Sequence, residues 1–288
     1  MQAYYDDGRG RYGTGESYDY FYKYDEEDVP IQTSDDGLWT YALPGDGEEV
    51  ELLRYNGNAI HVEVPSMVDG RKVAALDSTF DGFYELKSAV VPEGVTSIEG
   101  AFYGCEGLEQ VILPDSLLYM PYGLNSCYSL QEVRIPPHVK DVSNAFMGTG
   151  LRHIAFPEGT EDISGAFAAS ECLLSAYIPA SVRTMYEAFA DCETLTRVIL
   201  ADGITEIGDY AFSDCTALKE LTIPESVVKF GKKSVGIMEI REYVDKRKTG
   251  YRIKGYQNVP GFCIRGVAGS GAQAYAEQQG ILFVPLDR

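Results

Sequence analysis

The chain has 288 residues, 45% of them hydrophobic, so it can bury a substantial core as one large domain or two ordinary ones. It carries 44 acidic and 24 basic residues, and the net charge of −20 argues against nucleic-acid binding, which depends on Lys and Arg that neutralise phosphates. No run approaches the ~20 apolar residues of a membrane span, so we expect no membrane insertion. The N-terminal stretch MQAYYDDGRGRYG lacks the apolar core of a secretory signal, which leaves a cytoplasmic protein and a trimmed exported protein both open.

Residues 1–36 are rich in tyrosine and in acidic residues, as in YDYFYKYDEED, and poor in aliphatic residues. This composition is typical of a flexible acidic tail or linker. The alternative is that the tyrosines dock as a strand on the segment that follows.

Residues 37–76 contain the turn signals PGDGE and YNGN between runs of alternating polarity. They predict a small β-meander that caps one end of the molecule. Trp39, the single tryptophan, is interpreted as a core residue of this cap rather than as a platform for a ligand.

Residues 77–230 consist of about seven copies of one unit, each 21–23 residues long, with the consensus L-x-x-V-x-I-P-x-x-V-x-x-I-x-x-A-F-x-x-C-x-x. The copies begin at Leu86, Leu108, Leu130, Leu151, Leu173 and Leu195, and Leu218 opens a partial copy. The L-x-x-V-x-I part alternates as a short strand does, and the proline that follows removes a backbone donor and ends it. The A-F-x-x-C part has the spacing of a single helical or 3₁₀ turn.

One such unit cannot bury its own apolar face, whereas stacked copies align these side chains into continuous columns. The pattern therefore predicts an α/β repeat solenoid, in which short parallel strands form one sheet and turns or short helical segments lie opposite. The phenylalanine column comprises Phe80, Phe102, Leu124, Phe146, Phe167, Phe189 and Phe212.

Residues 231–288 are predicted to form an α/β C-terminal cap. The stretch VAGSGAQAYAEQQGILFVP favours a short helix with Ser270 as N-cap and Gly280 as its stop, followed by a strand from Ile281 to Val284. Between Lys229 and Arg265 lie ten basic and three acidic residues, which we interpret as the basic face of a solvated cap in preference to an anion site.

Four cysteines, Cys105, Cys127, Cys192 and Cys215, lie three residues after the phenylalanine column, where Thr149 and Ser170 stand in other copies. A small, buried, semi-polar position accommodates all three residue types. Strand neighbours ~4.8 Å apart do not exclude disulfides, but parallel side chains in a core rarely meet the required dihedral angle, so free thiols are favoured.

These repeats resemble the leucine-rich repeats of the BspA-like family, over roughly residues 37–288. Most copies here lack one residue before A-F. The resemblance implies a leucine-rich repeat fold and a secreted or cell-surface bacterial protein that contacts host, matrix or bacterial surface proteins.

Signals for catalysis are weak. The segment GRGRYG matches G-x-G-x-x-G, but no strand precedes it and no helix pattern follows, so it is a false positive. We expect no catalytic residue, no metal site and no cofactor, because no C-x-x-C pair and no nucleophile with a neighbouring base is visible.

Two outward positions of each strand form columns, and these make up the concave face of such a solenoid. Exposed apolar, aromatic and arginine side chains together are typical of binding patches. The alternative is that β-branched and aromatic residues simply suit exposed strands. The candidate binding residues are Gln110, Ile112, Glu132, Arg134, His153, Tyr177, Arg197 and Ile199.

The favoured function is a non-enzymatic recognition or adhesion module, monomeric, that binds a protein through this face. The alternative is a structural spacer of a larger surface protein, and a hydrolytic enzyme is a remote third possibility.

Overall fold

A computed structural model of the chain describes residues 29–45, 47–243 and 251–286. Residues 1–28 of the predicted tail and residues 244–250 of the basic segment lie outside the described residues. The remaining part of the predicted tail is structured differently from the expectation, because Ile31–Thr33 form a strand that pairs with Thr40–Ala42. This part belongs to the N-terminal sheet.

The N-terminal sheet has five strands in the order β1-β2-β3-β6-β5. They are β1 (Ile31–Thr33), β2 (Trp39–Ala42), β3 (Glu49–Tyr55), β5 (Met67–Val68) and β6 (Arg71–Leu76). The sheet is not a simple meander, because β3 and β6 are parallel. Between them the chain leaves the sheet and forms β4 (His61–Glu63), which pairs in parallel with the first strand of the repeats. The segment HVEVP has the strand-and-proline pattern of the repeats, so Val62 and Val64 are buried in the repeat core.

The repeats form a β-solenoid of stacked parallel strands, which confirms the predicted fold class. The strands are β7 (Ser88–Val90), β8 (Gln110–Ile112), β9 (His153–Ala155), β10 (Ser175–Ile178), β11 (Arg197–Leu200) and β13 (Glu220–Thr222). Their hydrogen bonding is interrupted in two places, so the stack divides into three sheets. These are β4-β7-β8, β11-β10-β9 and a sheet in which β13 is followed by β17 (Cys263–Gly266) and β18 (Leu282–Pro285). The first interruption is at residues 130–135, which form no strand.

A second, shorter ladder runs along another side of each coil. It consists of isolated parallel bridges and of two short strands, β12 (Glu206–Ile207) and β14 (Lys229–Phe230). The bridges connect Ala75, Ser97, Tyr119, Asp141, Asp162 and Thr184 in succession. Backbone groups on this side are therefore paired between coils, as buried polar backbone requires.

Turns, rather than helices, complete each coil opposite the strands. The residues two before and two after each phenylalanine-column member have positive φ, for example Gly100 (56°) and Gly104 (69°), or Glu187 (51°) and Asp191 (60°). Left-handed backbone costs a non-glycine residue roughly 1–2 kcal/mol. The turns persist because their amides bond to carbonyls of the next coil, as Asp191 N does to Ser213 O at 2.9 Å.

The phenylalanine column lies inside these turns, and all its members are fully buried. Ring centroids of successive members are 5.1 Å apart for Phe146 and Phe167, 6.0 Å for Phe167 and Phe189, and 5.2 Å for Phe189 and Phe212, with near-parallel planes. Leu124 occupies the same position and is also fully buried. The column is the centre of the core.

The C-terminal part contains a hairpin, one helix and two strands that extend the repeat stack. The hairpin pairs β15 (Ile237–Tyr243) with β16 (Tyr251–Asn258), and β17 (Cys263–Gly266), α1 (Gly271–Gln279) and β18 (Leu282–Pro285) follow. The helix buries Ala272, Tyr275 and Ala276 and ends at Gly280, which has φ 67°. Ser270 precedes it in extended conformation but makes no side-chain capping bond. None of the helices in the described ranges is long and apolar enough to cross a membrane.

Candidate functional site

The outward strand face consists of the side chains that point away from the core on β4, β7–β11, β13 and β17. Alternation along each strand creates it: β8, β9 and β13 each show the burial order exposed, buried, exposed. Gln110, His153 and Arg197 lie at the first outward position, and Ile112, Tyr177 and Ile199 at the second. All six are exposed or half-buried, so the sequence placed them on the correct side of the strands.

The sheet β9-β10-β11 brings four of the eight candidate residues together. Ser175 pairs with His153 on one side and with Arg197 on the other, and Tyr177 pairs with Ile199. Two rows of outward side chains result, one polar and one apolar. Directly opposed side chains of neighbouring strands lie within contact distance of each other.

The candidate residues Glu132 and Arg134 lie in the interruption rather than on a strand. Both are exposed, and the Arg134 guanidinium forms an ion pair with Asp115 at 2.9 Å. Gln110 and Ile112 lie beyond this interruption on the sheet β4-β7-β8. The eight predicted residues thus form two patches joined by an irregular segment, rather than one continuous sheet surface.

Polar contacts across the face link neighbouring coils. His153 Nδ1 lies 2.8 Å from Ser175 Oγ, and His61 Nδ1 lies 2.8 Å from Ser88 Oγ in the same relation. The Tyr177 hydroxyl donates to Glu158 Oε1 at 3.2 Å. Partial desolvation, together with the Glu158 carboxylate, raises the pKa of Tyr177, so its hydroxyl stays protonated.

Arg197 and Ile199 are exposed neighbours on the same strand of this face. Ile199 is 43% exposed, although its neighbours Val198 and Leu200 are buried. Arg197 is exposed and makes no side-chain hydrogen bond or ion pair with the described part of the chain. An apolar side chain beside an unpaired guanidinium is a combination found at the energetic centres of protein interfaces.

Sequence reasoning missed the ends of this face. His61 and Glu63 extend it at one end, since β4 pairs with β7, and Arg265 extends it at the other, opposite Thr222. The signal at the first end was the proline after HVEV, which matches the repeat. The second end had no such signal, because β17 is separated from β13 by the hairpin.

Four of the six cysteines pack in the core of the repeats. Cys105, Cys127, Cys192 and Cys215 are buried free thiols, and each donates to the carbonyl of the phenylalanine column one coil earlier, at 3.0–3.2 Å. Burial raises the pKa of Cys105 to about 12 and the pKa of each of the other three also above its ordinary value. A thiol that stays protonated is neither a nucleophile nor a metal ligand. Within the described ranges, no group of three or more His, Cys, Asp or Glu side chains is placed to hold a metal ion.

The repeats match a known family of leucine-rich repeats. A family model described as a BspA type leucine rich repeat region matches residues 76–187 and 183–243 in six copies. No curated protein is significantly similar to the chain.

Three solved structures share the fold. A leucine-rich repeat protein of T. pallidum is 24% identical, with a TM-score of 0.55 over 69% of this chain and 86% of that one. A leucine-rich repeat protein of Bacteroides ovatus is 23% identical, with a TM-score of 0.55 over 79% of this chain and 69% of that one. A leucine rich cell surface protein of Faecalibacterium prausnitzii is 21% identical, with a TM-score of 0.51 over 71% of this chain and 73% of that one.

Proposed function

Because the chain belongs to the BspA-type leucine-rich repeat family, we propose that it is a non-enzymatic module that binds a protein partner through its outward strand face. The family and the fold support a general role as a protein-interaction or scaffold module. Location outside the cell or at its surface is part of the proposal, and it is supported by the name of the F. prausnitzii structure.

The observation that carries the proposal is the pairing of Tyr177 with Ile199, next to the unpaired Arg197. Ile199 and Arg197 are exposed, whereas Tyr177 is half-buried and its hydroxyl donates to Glu158. Ile112, 51% exposed, repeats the arrangement on the neighbouring sheet. Apolar surface and a desolvatable guanidinium favour a partner that presents apolar side chains and a carboxylate.

The test compares the unsubstituted chain with the double variant Tyr177→Ala, Ile199→Ala in a pull-down from a host-matrix extract. A protein that is retained is then purified, and its affinity for both chains is measured by titration. We expect retention to be lost, because two central contacts of this kind each contribute about 2 kcal/mol or more at an interface. The melting temperature should stay close to that of the unsubstituted chain.

Val228→Ala is the matched control. Val228 is 68% exposed but lies on the side of the shorter ladder, so its removal should leave retention unchanged. Equal retention by the double variant and the unsubstituted chain would refute the role of the face, and a chain that retains no protein would favour a structural spacer.

A further inference from the structure

A cleft of about 300 Å³ lies where the N-terminal sheet meets the first strand of the repeat stack. Trp39 and Tyr55 line it with aromatic surface, and Leu38 and Met67 line it with aliphatic surface. The latter two are 41% and 53% exposed, which is high for large apolar side chains beside a core. The cleft therefore has apolar walls that nothing in the described chain covers.

The charge of the cleft is negative. Asp36, Glu63 and Asp69 line it, and no Lys or Arg does. Asp69 accepts from the Tyr41 hydroxyl at 2.8 Å and from Asp35 N at 3.1 Å, and Asp36 Oδ1 accepts from Leu38 N at 2.9 Å. Arg71 Nη1 donates to the backbone carbonyl of Asp69, so that hydrogen bond does not use the carboxylate.

Glu63 is the carboxylate most available to a ligand. It is exposed, and its side chain makes no hydrogen bond or ion pair with the residues that the structure describes. It also lies on the outward side of β4, so the cleft opens at the end of the outward strand face.

We propose that this cleft binds the side chain of a lysine or arginine residue presented by a partner protein, with the aliphatic stem between Leu38, Met67 and the aromatic rings and the cationic head at Glu63 and Asp36. Long basic side chains bury an apolar stem while their charge stays at a polar rim, which matches this combination of walls and carboxylates. The net charge of −20 attracts basic ligands at longer range. Uncharged apolar ligands would leave the carboxylates without a counter-charge and should bind less well.

The sole tryptophan makes the proposal testable, because Trp39 lines the cleft and its fluorescence reports on that location alone. The probe is the capped peptide acetyl-Gly-Lys-Gly-amide, compared with the same peptide carrying N-ε-acetyl-lysine. We expect a saturable change in Trp39 emission at about millimolar concentrations, the range for one buried side chain. The acetylated peptide, which lacks the charge, should bind at least about fivefold more weakly.

Two variants define the contacts. Glu63→Gln should weaken binding of the lysine peptide about tenfold, as loss of a charge-assisted hydrogen bond predicts. Met67→Ser should weaken it about threefold through lost stem contact. Both positions are exposed, so both variants should keep the melting temperature.

Glu225→Gln is the matched control, since it removes the same charge from an exposed position remote from the cleft. Equal binding of the lysine and acetyl-lysine peptides would overturn the proposal, and so would equal weakening by Glu63→Gln and Glu225→Gln, which would indicate general attraction to an acidic chain. The Tyr177→Ala and Ile199→Ala double variant should bind the lysine peptide normally, so the result is independent of the outward strand face.

Discussion

The repeat core and the hairpin β15–β16 are stabilised by different kinds of contact. In the core, each phenylalanine stacks on its copy one coil away, and the pattern recurs along the chain. The hairpin has no such column: β16 contains no buried residue, and β15 buries only Ile237 and Glu239 fully. Its attachment combines Ile237 and Met238, which pack on the core, with charged side chains at its base.

Arg241 is the centre of that attachment. Its guanidinium forms ion pairs with Asp191 and, at 3.5 Å, with Asp214, both in the turns of the repeats, and with Glu239 at 3.0 Å. Asp214 also accepts from Glu239 N at 2.9 Å. Burial alone would lower the pKa of Arg241, but the carboxylates of Asp191 and Asp214 outweigh it and raise that pKa, so the charge is retained.

The difference shows how a repeat protein joins a non-repeating element. Apolar columns add with each copy, and their phenylalanine side chains carry no group that titrates. A buried ionic cluster, in contrast, stabilises a single contact between two segments. Removal of one charged partner destabilises that contact, because the remaining charges stay buried without a counter-charge. The hairpin should therefore be separable from the core by substitution and by pH.

The largest effect is expected in the core. Phe167→Ala removes a side chain stacked on both Phe146 and Phe189, so it should lower the free energy of unfolding by about 3–5 kcal/mol. Denaturant unfolding followed by circular dichroism measures this loss. Phe102→Leu is the control, because it reproduces the residue that Leu124 supplies in the next coil, and it should cost under about 1.5 kcal/mol. Equal losses would mean that leucine cannot replace a stacked ring, so that apolar volume alone is not what stabilises the column.

The second effect is confined to the hairpin. Arg241→Met leaves the carboxylates of Asp191, Asp214 and Glu239 without their counter-charge and should destabilise the docked hairpin by about 3 kcal/mol. Hydrogen exchange should show faster exchange of the Glu239 amide by roughly a hundredfold, while the Phe167 amide keeps its protection. Arg252→Met, which removes the same charge from an exposed position of β16, should change neither amide. Uniform loss of protection in the core would contradict separate attachment.

The smallest effect is a pH dependence of the same attachment. Burial, aided by the Asp191 carboxylate, raises the pKa of Asp214 from 3.8 to about 6, although the Glu239 amide and Arg241 act against the shift. The folded state therefore binds a proton more tightly than the unfolded state, and stabilisation from this group is lost as pH rises from about 4 through about 6. Protection of the Glu239 amide, corrected for intrinsic exchange, should correspond to about 1 kcal/mol more stability at about pH 5 than at neutral pH.

Asp214→Asn is the variant that isolates this titration. In this variant, protection of the Glu239 amide should lose most of its pH dependence, because the titrating carboxyl group has been removed. An unchanged dependence would assign the effect to other carboxylates of this acidic chain.

The repeat register could be predicted because each copy of the repeat shows the same pattern of apolar positions. Positions such as Phe146, Cys192 and Ile199 needed only the alignment of copies to be assigned to the core or to the outward face, and the structure confirms each assignment. The free, buried thiols follow from the same logic, since Thr149 and Ser170 are buried at the same position of other copies. The binding role of the outward face stays a prediction.

The repeat pattern did not predict features that occur in one copy only or that depend on contacts between residues far apart in the sequence. The sequence predicted a strand at residues 130–135, yet the hydrogen bonds that would define it are not made. The cap was predicted as a meander, but β4 leaves it and pairs with β7, where Val62 and Val64 are buried. Arg241 and Asp191 are 50 residues apart, and no periodicity relates them.

The sequence by itself determined the solenoid, its apolar columns and the side of each strand that faces outward, because a repeated pattern of buried residues has one way to stack. The tertiary structure decided where the strand ladder is interrupted, how the hairpin attaches through Arg241, and that Trp39 and Glu63 line a common cleft. These features arise from single contacts between segments far apart in the chain, and each depends on geometry that no local pattern encodes.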